Sequence, residues 1–342
     1  MNSYLFADHL LQHALNGVVS FLLFSLITTL LLVLLRIRSP RLRASLRLLP
    51  PLRLALEPLF WLLPSSVTVL NASAFSCVHP FQRFLYRRLS LGAQQELEVY
   101  GLKTVLGKGL LLIPLPLLYV GMVLILGLSI FRLVAFFLSY LTARMEMKRI
   151  AERGSPYLLS IRGEKLLMRL QNMRVKIVLS DDVMTPLACW GKTILLPQSL
   201  LEEFSDEERE AIIAHELEHH RWHDTCIRML YQGLSAFYFW VPMSGWLGKI
   251  KEEQELACDL AAAECGLSTI DLATALKKTL WRGEADTHLC AAFTTKRSGK
   301  ALFRRLQALL DPHVLNRKDK VRAGFATLLL GAVTALVGFV VC

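Results

Sequence analysis

Glu210-Ala-Ile-Ile-Ala-His215-Glu216-Leu-Glu-His219-His-Arg-Trp-His-Asp224 is the stretch that decides how this chain folds and where its chemistry lies. Its centre is the pattern His-Glu-x-x-His. Side chains four residues apart lie one turn above each other on the same face of an α-helix. His215 and His219 can therefore aim both imidazoles at one Zn²⁺, with Glu216 projecting beside them as general base for an attacking water. Five residues of pattern are common enough by chance that the flanks decide the reading.

Upstream, Ser205-Asp-Glu-Glu208 is a capping box that opens this helix, and its acidic first turn suits the positive end of the helix dipole. Earlier still, Tyr157–Gln171 reads as helical, and Val175–Leu179 and Lys192–Leu196 read as short strands, the second bounded by Gly191 and Pro197. A strand just ahead of the zinc helix offers Thr193, Ile194 and Leu195 for backbone pairing with an extended substrate. A purely structural edge strand is the alternative.

Downstream, a hydrolytic zinc site needs a third protein ligand from a separate element and an open position for water. Metzincins take a histidine six residues after the second; that position here is Thr225, which excludes the class. A glutamate is the other common solution. Glu255-Leu-Ala-Cys-Asp259 supplies one, with Glu255 and Asp259 a turn apart on one helical face. Glu255 can ligate while Asp259 accepts the free imidazole N–H of His215 or His219 and fixes its tautomer. Glu252 and Glu253 compete as ligands, but neither has an aspartate four residues later. His223 lies one turn past His219, too far along the axis to join both ligands at one ion, and reads as structural rather than substrate-facing. By helix angle Asp224 falls away from the ligand face and also reads as structural. Cys258 reads as a small buried residue rather than a redox switch. No oxyanion stabiliser beyond the metal stands out among His288, Arg304 and Arg305.

The surrounding composition is that of a membrane protein. Of 342 residues, 54% are hydrophobic and only 20% charged, which is too apolar for an ordinary soluble chain. The net charge of +11 crowds beside apolar stretches instead of forming a nucleic-acid reader motif, so direct nucleic-acid binding is not expected. Seven scattered cysteines without C-x-x-C argue for reduced thiols and against a disulfide framework or thiolate zinc site.

Residues 14–35 form an uncharged span followed by Arg36, Arg38, Arg41, Arg43 and Arg47, which the positive-inside rule assigns to the cytoplasm. A second clear span runs over 109–131 and is also followed by basic residues. Two spans ending on the same side require a crossing between them, so 46–70 is read as a proline-kinked span, with an interfacial segment as the alternative. An aromatic stretch, Met229–Leu247, could cross by length, but crossing would part His215 and His219 from Glu255. It is read as membrane-dipping or packed against other spans, or else as a buried core helix and loop. A final apolar span closes the chain. The expected division is a transmembrane region 1–142 with spans at 14–35, 46–70 and 109–131, a zinc metallopeptidase domain 143–320 on the cytoplasmic side, and a C-terminal transmembrane helix 321–342.

Taken together, His215-Glu-Leu-Glu-His219 with His223-Asp224, Phe239-Trp-Val-Pro242, Glu255-Leu-Ala-Cys-Asp259 and the lead-in Gly191-Lys-Thr-Ile-Leu-Leu-Pro197 resemble the integral-membrane zinc metallopeptidases of the beta-lactam sensor-transducer family, the BlaR/MecR type. The resemblance implies a multi-pass α-helical membrane protein carrying an inserted α+β gluzincin-type zinc metallopeptidase domain. It implies Zn²⁺ as cofactor, the bacterial cytoplasmic (inner) membrane as location, and a protein substrate, commonly a transcriptional repressor or the protein itself, cleaved in signal transduction. Sensors of that family carry a penicillin-binding domain after the last span. With the sequence ending at Cys342, direct beta-lactam sensing is not expected, and a separate sensor subunit is. Two other readings remain at this level: a quality-control protease of HtpX type, and a non-catalytic membrane scaffold with structural zinc. The retained Glu216 argues against the scaffold, since a structural site needs no base.

Overall fold

The computed structural model describes residues 2–61, 115–157, 163–285 and 298–310. Three N-terminal helices come first: α1 (Asn2–Leu34), α2 (Pro40–Arg47) and α3 (Leu49–Trp61). A 39-residue helix, α4 (Leu115–Arg153), follows. It spans about 58 Å at 1.5 Å per residue. The segment expected at 46–70 is interrupted at Leu48, where α2 gives way to α3, and Pro50 and Pro51 sit in the first turn of α3, where proline is tolerated. Residues 62–70 lie outside the described residues, as do 109–114 and the expected C-terminal helix 321–342. Helix α4 runs unbroken through the expected boundary at 142/143, because no glycine or proline interrupts the chain from Phe136 to Arg153.

Among the described residues one helix is long and apolar enough to cross a membrane, over Val120–Arg153. Its Val123, Leu124, Leu128, Phe131, Val134 and Leu138 are exposed.

The remaining elements are β1 (Ser155–Pro156), α5 (Glu164–Met173), β2 (Lys176–Ser180), β3 (Leu187–Cys189), β4 (Thr193–Pro197), α6 (Leu200–Glu203), α7 (Asp206–Arg221), α8 (Asp224–Phe237), α9 (Ser244–Ala263), α10 (Thr269–Ala285) and α11 (Ser298–Leu310). Of the helix expected over Tyr157–Gln171, residues 158–162 lie outside the described residues, and the described helix is Glu164–Met173. Tyr157 continues the extended chain instead and donates its N–H to the carbonyl of Ile177. Gly154, just before β1, allows this turn: a Cβ there would collide with Val178 and with the carbonyl of Leu179.

The four strands lie in the order β1-β2-β4-β3. β2 and β4 are parallel, with Ile177 opposite Ile194, whereas β1–β2 and β3–β4 are antiparallel. Both faces of β4 are covered, which is why Ile194-Leu-Leu196 is a continuous apolar run rather than an alternating one. Ile194 and Leu196 pack into a core shared with α5, α7, α9 and α10. Leu195 packs the other way, with Val178 and Cys189 against Ile150 at the end of α4. The β3–β4 hairpin turns through Gly191 at φ +83°, a backbone conformation that glycine adopts without strain.

The aromatic stretch 229–247 does not form one helix. It ends α8, turns through Tyr238–Met243, and starts α9 at Ser244, well ahead of Glu255. Tyr231, Tyr238, Val241, Met243, Trp246 and Ile250 pack there with Phe21 of α1 and Leu54 of α3. This reversal returns the chain alongside α7.

Candidate metal centre

Helix α7 begins at the capping box: Glu208 N–H donates to Ser205 Oγ at 3.2 Å, and Ser205 N–H donates to Glu208 Oε2 at 3.0 Å. Two orphan donors are thereby satisfied, and the helix is anchored before it enters the core. Ala211, Ile213, Ala214 and Leu217 are buried against neighbouring elements. His215 and His219 point together from the remaining face, with ring centroids 5.0 Å apart.

Helix α9 brings Glu255 opposite them. Its Oε2 lies 3.5 Å from Nε2 of His215 and 3.9 Å from Nε2 of His219. Two imidazoles and one carboxylate thus converge with ligand atoms all within 4.8 Å of one another. That donor set, two imidazole nitrogens and one carboxylate oxygen, suits zinc.

The opposite ring nitrogens face separate carboxylates. Nδ1 of His215 lies 2.8 Å from Oδ1 of Asp259, close as an ion pair though not aligned as a directed hydrogen bond. Nδ1 of His219 lies 3.1 Å from Oδ2 of Asp224. Asp259 therefore sits where its spacing from Glu255 suggested. Asp224 does not sit where helix angle suggested. Helix α7 stops at Arg221, and His223, with φ +54°, turns the chain so that Asp224 opens α8 and swings back beneath His219. Extending a helix past its end gave the wrong direction.

Two arginines at the site carry no distinctive sequence motif. Arg305 of α11 grips Asp259 through Nε at 2.6 Å and Nη2 at 2.7 Å, and its Nη1 lies 3.4 Å from Glu255. Arg228 of α8 approaches the other oxygen of Glu255 at 3.4 Å. The sequence does hold one signal for Arg305: it stands four residues before the buried Leu309, so it lies on the inward face of an amphipathic helix. A cation on such a face implies a buried anion. Arg304 is engaged with Glu252 and Glu253 instead. Glu253 also meets Arg43, so neither competing glutamate reaches the histidines. His288 lies outside the described residues. His223 is exposed at the turn.

These charges set the protonation of the site. Burial alone would lower the His215 pKa, but the Asp259 carboxylate outweighs it and raises His215 to about 10. Burial would raise Glu255, yet contact with His215 and the charges of His219 and Arg305 hold it well below the ordinary carboxylate range. Asp259 and Asp224 are likewise held low against burial, by Arg305 and by His219 with Arg41. Cys258 is fully buried, with Sγ 3.4 Å from His219 and 3.5 Å from Asp224. Burial and the surrounding carboxylates push its thiol well up, so it sits there as an inert thiol. His219, Asp224 and Cys258 also cluster closely enough to meet a cation. Asp224, however, already accepts hydrogen bonds from Arg41 and Gln254 and faces His219 Nδ1.

Glu216 is half-buried beside His215. It is close enough to Cys189 to add to the effect of burial, which pushes that thiol up to about 12. Strand β3 therefore passes next to Glu216. Here the sheet corrects an expectation. Thr193, Ile194 and Leu195 cannot pair with a substrate, because β4 is flanked by β2 on one side and β3 on the other. Thr193 presents its carbonyl to Nε2 of His220 at 3.1 Å. Among the described residues, β3 is the edge strand nearest the site. Its short hairpin was hidden in sequence because three residues give no periodicity to read.

A family model described as BlaR1 peptidase M56 matches residues 115–309, more than half of the chain and all of the site except what α1–α3 contribute. No curated protein matches the chain.

Proposed function

The chain belongs to the BlaR1 peptidase M56 family, and from that premise we propose that it is a membrane-embedded zinc-dependent endopeptidase. The single observation that carries this reading is the convergence of His215 Nε2 and His219 Nε2 on Glu255, with each opposite ring nitrogen facing an aspartate. His215, His219 and Glu255 would hold the metal. Zinc bound there supplies Lewis acidity for a water and for the scissile carbonyl.

The chain's own groups do the rest. Glu216 takes a proton from the attacking water and passes it to the leaving amine. Asp259 and Asp224 fix the tautomers of the two histidines so that Nε2 of each keeps its lone pair for the metal. The free edge of β3 pairs with extended substrate, aligning the scissile bond by backbone hydrogen bonds. Embedding in the membrane is supported by the exposed apolar side chains of α4, and a cytoplasmic position for the site by the basic residues that follow the apolar part of α1 and end α4. The substrate in this reading is a regulatory protein, of repressor type, or the protein itself, cleaved in signal transduction.

The test is E216Q in the full-length chain, with zinc content and cleavage measured together. Zinc retained with cleavage lost is the expected result. Cleavage that survives the substitution removes Glu216 as the base. The inactive variant also serves to trap the substrate for identification.

A further inference from the structure

The geometry points to Arg41, in the short helix directly after the N-terminal apolar helix, as a positioning residue that holds the metal ligand His219 through Asp224. The inference rests on the metal-centre reading above and extends the site beyond the region shared with the family, which begins at residue 115.

Asp224 is 1% exposed and accepts on both oxygens. Oδ2 faces His219 Nδ1 at 3.1 Å and Cys258 Sγ at 3.5 Å. Oδ1 accepts from Gln254 Nε2 at 3.0 Å and from Arg41 Nη1 at 3.0 Å. Of these four partners only Arg41 carries a permanent charge. A histidine that ligates a metal is neutral, and the thiol and the amide are neutral as well. Without that cation nothing fixes the buried carboxylate in place. Its displacement removes the acceptor that faces His219 Nδ1.

Arg41 is itself tightly held. Its second nitrogen donates to the carbonyl of Trp222 at 3.3 Å, and its guanidinium lies 4.0 Å over the Trp222 ring. It therefore grips both the carboxylate and the α7–α8 turn that aims it. Helix α2 is fastened at a second point, where Arg43 meets the buried Glu253 of α9 at 3.0 Å and the Trp246 indole donates to the carbonyl of Arg47 at 2.7 Å. In the other direction, Leu32 at the end of α1 packs with Ile37 of the linker and Leu46 of α2 in one cluster. The basic residues that mark the cytoplasmic end of α1 are, at Arg41, also part of the site's support.

The experiment uses the detergent-solubilised full chain and zinc itself, titrated against a competing chelator, with cleavage and melting temperature followed in parallel. R41Q is expected to weaken zinc binding and to lower kcat by about 10- to 100-fold, the usual loss when a partner of a ligating histidine is removed, with KM unchanged. R41K, which keeps the charge but not the fork, is expected to recover part of both. R43Q, in the same helix but bound to Glu253, is expected to lower the melting temperature and leave zinc affinity alone. In a D224N background the effect of R41Q on zinc affinity is expected to vanish. Arg41 is excluded as a positioning residue if R41Q binds zinc like the parent, if R43Q loses as much zinc affinity as R41Q, or if R41Q acts equally with and without Asp224. A parent chain with no zinc affinity overturns the metal-centre reading itself, and that result is in hand before any variant is made.

Discussion

Arg305 joins Asp259 by two hydrogen bonds, 2.6 and 2.7 Å long, while the same carboxylate lies 2.8 Å from His215. His215 of α7, a proposed metal ligand, therefore faces a carboxylate on α9 that is fixed in turn by α11. Three helices separated widely in sequence meet there.

Removing that guanidinium leaves Asp259, which is completely buried, without its cation. R305Q is expected to destabilise the chain by about 3–5 kcal/mol, the usual loss for a broken buried pair. It is expected to weaken zinc binding as well, since His215 loses a fixed acceptor. R305K restores the charge but cannot reproduce the two-point grip, so it should remain well short of the parent. Chelator competition and thermal melting read the two effects separately. An R305Q chain that melts and binds zinc like the parent removes Arg305 from the site's support.

The protonation of the metal-free chain gives a second prediction, with opposite signs for its two limbs. His215 is raised from 6.5 to about 10, so the stability it contributes is fully present below pH 6.5 and is lost as pH rises through about 10. Asp259, Asp224 and Glu255 are held low, so their contribution is present above the ordinary carboxylate range and is lost as pH falls below it. In the presence of a chelator, melting temperature is expected to pass through a broad maximum and decline on both sides. D259N is expected to flatten the alkaline limb, because the charge that raises His215 is gone. An unchanged alkaline decline in D259N would assign that limb to another group.

The edge position of β3 can be tested by proline. In an antiparallel pair, successive residues alternate between N–H groups that bond the partner strand and N–H groups that point away. Proline at Leu187 and proline at Ala188 therefore remove different donors. One is expected to break the β3–β4 ladder and lower the melting temperature. The other is expected to lower kcat/KM about tenfold or more while melting and zinc content stay near the parent's. Two variants with identical profiles, whatever their size, would show that substrate does not pair along this edge.

Much of this site was legible along the chain because it is written in helical spacing. His215 with His219 and Glu255 with Asp259 are each four residues apart, and the capping box Ser205–Glu208 marks where the first of these helices starts. What spacing could not convey are the turns. Asp224 was assigned to the wrong direction because α7 ends at Arg221, and nothing in Trp222-His223 announces a left-handed residue. Strand β4 read as an edge because its partner β3 is three residues long. Arg41 was legible only as a charge and Arg305 only as a cation on an inward helix face; their partners lie 183 and 46 residues away, and no local pattern names a contact of that range.

The capping box makes a final prediction that separates folding from chemistry. Ser205 accepts from the Glu208 N–H at the start of α7, while His215 and His219 lie about two and a half to four turns further on. Replacing Ser205 by alanine unmakes one hydrogen bond and leaves an orphan donor at the helix start, which costs about 0.5–2 kcal/mol. Glu208 keeps its second partner, Lys278, at 2.6 Å, so the first turn is loosened rather than released. The two proposed ligand histidines are held from the other side, by α9 and by the carboxylates behind their rings. S205A is therefore expected to lower the melting temperature by a few degrees and leave zinc affinity and kcat within about twofold of the parent. A loss of zinc affinity as large as that of R305Q would mean that the ligand geometry depends on the whole length of α7, and that the carboxylates behind the histidines do not suffice to hold it.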